Sequence, residues 1–240
     1  MKITTVVVLA VLVLAGCQPR HLEFSPRAAQ LRRIAIVPPD VTLVRIVFSG
    51  DDEPLTAESD VARRALPAAI AHELEAHGFV VRPSGLDDRQ EPVDPAVRYQ
   101  ATVALARHQT LVSDVLGGKS VGSLGPDVGR LADHADVDAL LFVNLVGMTK
   151  SGGQVARDLT VTVLTLGGLV YKTSATRLFV TMVDGTTGQA LWWGSGLSEA
   201  LAFDGTALRD LVHDVFERMP MLPAAAAPPS GPPAVTSSSP

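Results

Sequence analysis

The sequence predicts an α/β (mixed α+β) fold: one mixed β-sheet with amphipathic helices packed on it, ending in a β-hairpin and a C-terminal helix. Three observations carry this. Apolar residues recur at helical spacing in three long segments, and short β-branched runs alternate with those segments. One run, "DALLFVNLVG" (138–147), is apolar at odd and even positions alike. A strand of that kind is covered on both faces, so it belongs in the middle of the sheet.

Taken in order, "RRIAIVPPD" (32–40) reads as a first strand stopped by Pro38 and Pro39. The β-branched run 41–48 is expected at a sheet edge. In 56–77, Ala62, Leu66, Ile70 and Leu74 recur every four residues with Gly78 at the exit, which predicts a helix that Pro67 kinks or splits. "FVVRP" (79–83) is a second short strand. Asp94 and Pro95 suit the N-cap and first position of a helix, whose stripe runs Val97, Ala101, Ala104, Leu105, Leu111, Val112 and Val115. His108 falls within that stripe and reads as a core histidine donating to a backbone carbonyl. A glycine-rich loop (117–126) and a short helix with Val128, Leu131 and Ala132 then lead into the central strand.

The segment 159–171 is rich in β-formers and fits a strand, a short helix or a membrane-contacting stretch. Residues 177–194 form the clearest hairpin, turning at 184–188. There Asp184 can accept hydrogen bonds from the turn backbone, and Gly188 permits a positive φ. In the last helix Leu208, Leu211, Val212, Val215, Phe216 and Met219 share one face, and Pro220 ends it. The Pro-, Ala- and Ser-rich end of the chain cannot bury a core.

Trp192 and Trp193 are adjacent, so on a strand they face opposite sides of the sheet. One enters the core, and the other lies under a helix or at the surface. An exposed tryptophan would be a candidate interaction surface for a protein partner. Three helices should cover most of the sheet and leave a limited apolar strip near this pair.

The formal net charge is −5, without the clustered basic patch that nucleic acid requires. No nucleotide or other cofactor is expected. Gly118-Lys119-Ser120 ends like a phosphate-binding loop, but Ser113 stands where that pattern needs glycine, and no strand precedes it. Gly118 to Gly122 also spells G-x-S-x-G around Ser120. A nucleophile elbow needs a strand-to-helix turn there, and the only convenient base, His213, lies on the polar face of the last helix. No catalytic residue is assigned, and hydrolysis by Ser120 is a disfavoured alternative. No metal site is expected either: His72 and His77 diverge on a helix, and the run 133–138 reads as a solvated turn.

The single cysteine, Cys17, closes an N-terminal stretch in which Lys2 precedes an apolar run of signal-peptide length, too short to span a bilayer. Leu14, Ala15, Gly16 and Cys17 resemble the lipobox of bacterial lipoproteins. The resemblance implies cleavage before Cys17, acylation of its thiol, and attachment to the membrane through that lipid. Gln18 in the next position implies the outer rather than the inner membrane. The domain layout is then a signal peptide (1–16), an anchor and tether (17–30), a periplasm-facing α/β domain (31–219) and a disordered tail (220–240).

Three segments, "RRIAIVPPD", "DALLFVNLVG" and "FVTMVDGTTGQALWWG", carry a second resemblance. They are similar to small periplasm-facing lipoproteins whose domain is like the amino-terminal domain of TolB and the curli secretion lipoprotein. The hairpin pattern V-D-x-x-T-G-x-x-L-W is the most specific part. This resemblance implies the fold and the periplasm-facing location, and the function expected beside it is that of a non-enzymatic accessory or assembly factor that contacts an envelope protein. A secretion-channel subunit is the alternative it also suggests, which would need membrane-crossing strands of about 9–11 residues.

Overall fold

The computed structural model describes residues 25–47, 52–86, 93–119, 122–151, 173–203 and 205–222. In chain order the elements are β1 (Arg33–Ile36), β2 (Asp40–Ile46), β3 (Glu53–Pro54), α1 (Thr56–Ala76), β4 (Val80–Arg82), α2 (Pro95–Leu116), α3 (Asp127–Ala135), β5 (Ala139–Lys150), β6 (Ser174–Asp184), β7 (Ala190–Ser198) and α4 (Gly205–Phe216). A 3₁₀ turn, Ala28–Gln30, precedes them. All seven strands join one mixed sheet, and the helices cover it from both sides. The fold class is the one the apolar periods predict.

β5 is the axis of the sheet. One edge of it pairs antiparallel with β6 along nearly its full length, and β6 pairs with β7 as the predicted hairpin. The other edge holds β1 and β2 end to end, both parallel to β5. Pro38 and Pro39 therefore interrupt a strand without ending it. The register slips by one across them, from Ile36↔Leu141 to Asp40↔Asn144, so three residues of the outer strand span two of β5. Strand side chains alternate with period two, and one extra residue reverses which parity faces inward. Ala35 and Val37 accordingly lie in one core, whereas Val41 and Leu43 lie in the other. β2 is thus not an edge strand: β5 flanks it on one side and the two-residue β3 on the other.

Two cores result. On one face α1 and α4 bury Leu66, Ile70, Leu74, Val212 and Phe216 against the odd residues of β5, with Trp192 among them. On the other, α2 and α3 bury Ala104, Val112, Val128 and Leu131 against Leu140, Phe142 and Trp193. α2 starts as predicted, with Asp94 Oδ1 accepting from the Ala96 N–H at 2.8 Å. α1 runs unbroken through Pro67. The carbonyl that proline leaves without a helical donor belongs to Arg63, which is exposed, so water can serve it.

Residues on either side of 31–219 pack into the first core. Ala28 is fully buried in the first core, and Leu222 is buried in it too, its N–H donating to the His77 carbonyl at 3.0 Å.

Candidate functional site

Among the described residues, the two sides of the sheet are not covered to the same extent. α2 ends at Leu116, while β5 and β6 run on beyond it. The strand register lays the uncovered residues out in rows. Thr42, Val146, Arg177 and Leu197 form one, and Val44, Met148 and Ala175 form the next, farther from the helix. With Leu116 as the wall, this shelf makes an open cleft of about 540 Å³. Its apolar side chains are exposed well beyond what a core strand shows: Val146 39 %, Met148 45 %, Leu116 46 % and Leu197 52 %. Adjacent exposed apolar residues of this kind mark interaction surfaces.

Polar groups sit where the cleft meets the covered part of the sheet. Asp40 Oδ2 accepts from Asn144 Nδ2 at 2.8 Å and from Gln109 Nε2 at 2.7 Å, which ties α2 to β2 and β5. On the opposite side the Arg177 guanidinium lies over the Phe179 ring, 5.7 Å from its centroid. Among the described residues no carboxylate forms an ion pair with Arg177. Asp40 and Arg177 stand two strands and one row apart, on the order of 12 Å between Cα atoms.

The tryptophans take the opposite sides predicted for neighbours on a strand, but neither is a surface. Trp192 is 1 % exposed and packs on Phe216 of α4, with ring centroids 5.4 Å apart. Trp193 is wholly buried in the other core, 6.2 Å from Phe179. The exposed apolar strip therefore lies along β5 and the tip of β7, not at Trp192 and Trp193. Helical cover explains the shift: α4 and α2 reach the tryptophans, and α2 stops before Val146.

His108 is fully buried, as its place in the stripe implies. Its partner is a side chain instead of a carbonyl: Nε2 lies 3.0 Å from Thr181 Oγ1, and Nδ1 has no hydrogen-bond partner. Burial lowers its pKa to about 4, an effect that the Asp40 charge opposes in part. His213 is exposed and its Nδ1 lies 3.2 Å from Glu73 Oε1. Among the described residues no group of histidine, cysteine and carboxylate side chains could hold a metal ion, and no helix is long and apolar enough to cross a membrane. Leu14, Ala15, Gly16, Cys17 and Ser120 lie outside the described residues, as do 159–171 and the Pro-rich tail.

The turn of the hairpin is as the sequence implies. Asp184 Oδ1 accepts from the N–H groups of Thr186 and Thr187, both at 2.8 Å, and Gly188 has φ +70°. Its second oxygen, Oδ2, accepts from Arg27 Nε at 2.9 Å, which ties the segment before β1 to the turn.

No protein-family model matches the chain, and no curated protein matches it by sequence. Three solved structures resemble it at a distance. A PelC dodecamer from Paraburkholderia phytofirmans is 11% identical, with a TM-score of 0.37, over 82% of this chain and 93% of that one. Lipoprotein GNA1162 from Neisseria meningitidis is 15% identical, with a TM-score of 0.32, over 77% and 94%. The LpoB C-terminal domain from Salmonella enterica is 13% identical, with a TM-score of 0.25, over 70% and 83%.

Proposed function

We propose that the chain is a lipid-anchored protein of the bacterial cell envelope, held on the outer membrane through Cys17 and facing the periplasm. It acts by non-catalytic contact at the cleft beside α2. The observation that carries the contact reading is the cluster of Val146, Met148, Leu197 and Leu116, exposed together at one end of the sheet among the described residues. The Leu14-Ala15-Gly16-Cys17 sequence supports the anchor. The first described residue lies at the opposite end of the sheet from the cleft, where the Ser25 N–H donates to the Leu191 carbonyl.

Two measurements test the two halves. A photoreactive amino acid at Met148 or Leu197 should form an adduct in cells, and the same group at Tyr99, exposed on α2, should form far less. Equal labelling at all three positions removes the cleft from the reading. Cys17→Ser should move the protein from the detergent phase to the aqueous phase on phase partitioning. A serine variant that stays with the detergent shows that no lipid at residue 17 holds it.

A further inference from the structure

We propose that the cleft binds a single alkyl chain carrying an anionic head group, a long-chain carboxylate taken up as a monomer, with the head against Arg177 and the chain across Val146 and Met148 toward Leu116. The inference rests on the cleft being the working surface and adds the chemistry of what fills it.

Three features argue for that occupant. The volume, about 540 Å³, falls in the range of small-molecule sites, which are mostly apolar with a few placed polar groups. The floor is a sheet face whose backbone N–H and C=O groups are spent in the strand ladder. An extended peptide laid on it would find no partners for its own backbone, whereas an alkyl chain has none to satisfy. The charge is also complementary. Arg177 is half-buried beside Phe179 without a carboxylate partner among the described residues, and Asp40 lies across the cleft with one oxygen already shared by two amides. An anion therefore settles at the β6–β7 side, far from Asp40.

A second copy of the chain fits less well. For its own α2 to clear the shelf, its strands must run opposite to these. That lays β6 over β6 and brings two Arg177 guanidinium groups together.

The test uses the chain from residue 17 onward with Cys17→Ser, so that no lipid or detergent competes. Dodecanoate and dodecyltrimethylammonium are titrated below their micelle concentrations, followed by calorimetry and by the methyl signal of isotopically labelled Met148. One dodecanoate should bind and shift Met148, about fivefold or more tightly than the ammonium. Arg177→Gln should abolish that preference, Arg177→Lys should keep most of it, and Val146→Glu should remove binding of both, each with an unchanged melting temperature. Equal affinity for the two head groups, several bound per chain, or an unmoved Met148 signal would mean adventitious hydrophobic binding only and would overturn the proposal. Should dodecanoate fail while adducts at Met148 and Leu197 persist in cells, this inference falls and the contact reading stands.

Discussion

Asp184 is only 1 % exposed and stays ionised because three donors meet it. Burial alone would raise its pKa. The hydrogen bond from Arg27 and those from the Thr187 and Thr186 N–H groups outweigh burial and hold the carboxyl below its usual value. The turn half of this arrangement is written locally, in D-G-T-T-G. The Arg27 half joins residues 157 apart, and no spacing rule could have named it. The neighbouring Gly188 is constrained twice. Its φ is +70°, and a Cβ built there would stand 2.0 Å from the Gly125 carbonyl oxygen. Gly188→Ala should therefore cost about 2 kcal/mol or more in urea unfolding. Trp192→Ala and Trp193→Ala should each cost about 3–5 kcal/mol, as truncations in two separate cores, while adducts at Met148 remain in whatever fraction stays folded. A tryptophan variant that keeps its stability but loses those adducts would restore that residue as a contact surface.

At the scale of elements, helices were more legible than strands, because a helical stripe names its own buried face whereas a strand's neighbours are chosen elsewhere. The stripe Ala62, Leu66, Ile70 and Leu74 is the buried set of α1, with only Ser59 added, and the α4 stripe holds from Leu208 to Phe216, where the helix ends short of the predicted Met219 and Pro220. β2 was misplaced at an edge, since its parallel partner lies a hundred residues on. The cleft was hidden for a related reason. "DALLFVNLVG" is apolar on both faces, and nothing in it says that the covering helix stops before Val146. The end of the apolar stripe at Val115 was the available signal, set against a strand that continues to Lys150. Gly194 and Gly196 were likewise unread, yet they seat α4. A Cβ on Gly196 would come within 2.8 Å of Val215 Cγ2 and 3.0 Å of Leu211 Cδ1, so the helix lies directly on the strand. Gly196→Val should lift α4, costing about 1–3 kcal/mol and speeding amide exchange in α4 more than in α2. Equal acceleration in both helices would show that the strand, not the helix seat, had failed.

At the scale of the whole molecule, three groups among the described residues make folding sensitive to acid, and they act in sequence. His108 is buried neutral between α2 and β6, with its pKa lowered from 6.5 to about 4 by burial. The unfolded chain therefore takes up a proton that the folded chain refuses, so stability is complete above the unfolded value and falls as pH drops toward 4. Asp184 and Asp138 follow at lower pH. For Asp138, burial opposes the charged form, but the Arg33 and Arg32 N–H groups and the Arg33 guanidinium outweigh it and lower the pKa. Both carboxylates stabilise the fold above their unfolded pKa, and that stabilisation is lost as pH falls through their lower folded values. The two steps can be separated. Between about pH 8 and about pH 5 the histidine alone should remove about 2 kcal/mol of unfolding free energy. His108→Leu should flatten that part of the profile, because leucine fills the same apolar site and binds no proton. The fall below about pH 4 should remain, since Asp184 and Asp138 still titrate. Urea unfolding across this range, on the parent chain and His108→Leu side by side, reads both steps. A parent profile that is level between neutral pH and 5, or a leucine variant that falls as steeply as the parent, would mean that His108 takes up its proton in the folded chain and that the space around Nδ1 admits water.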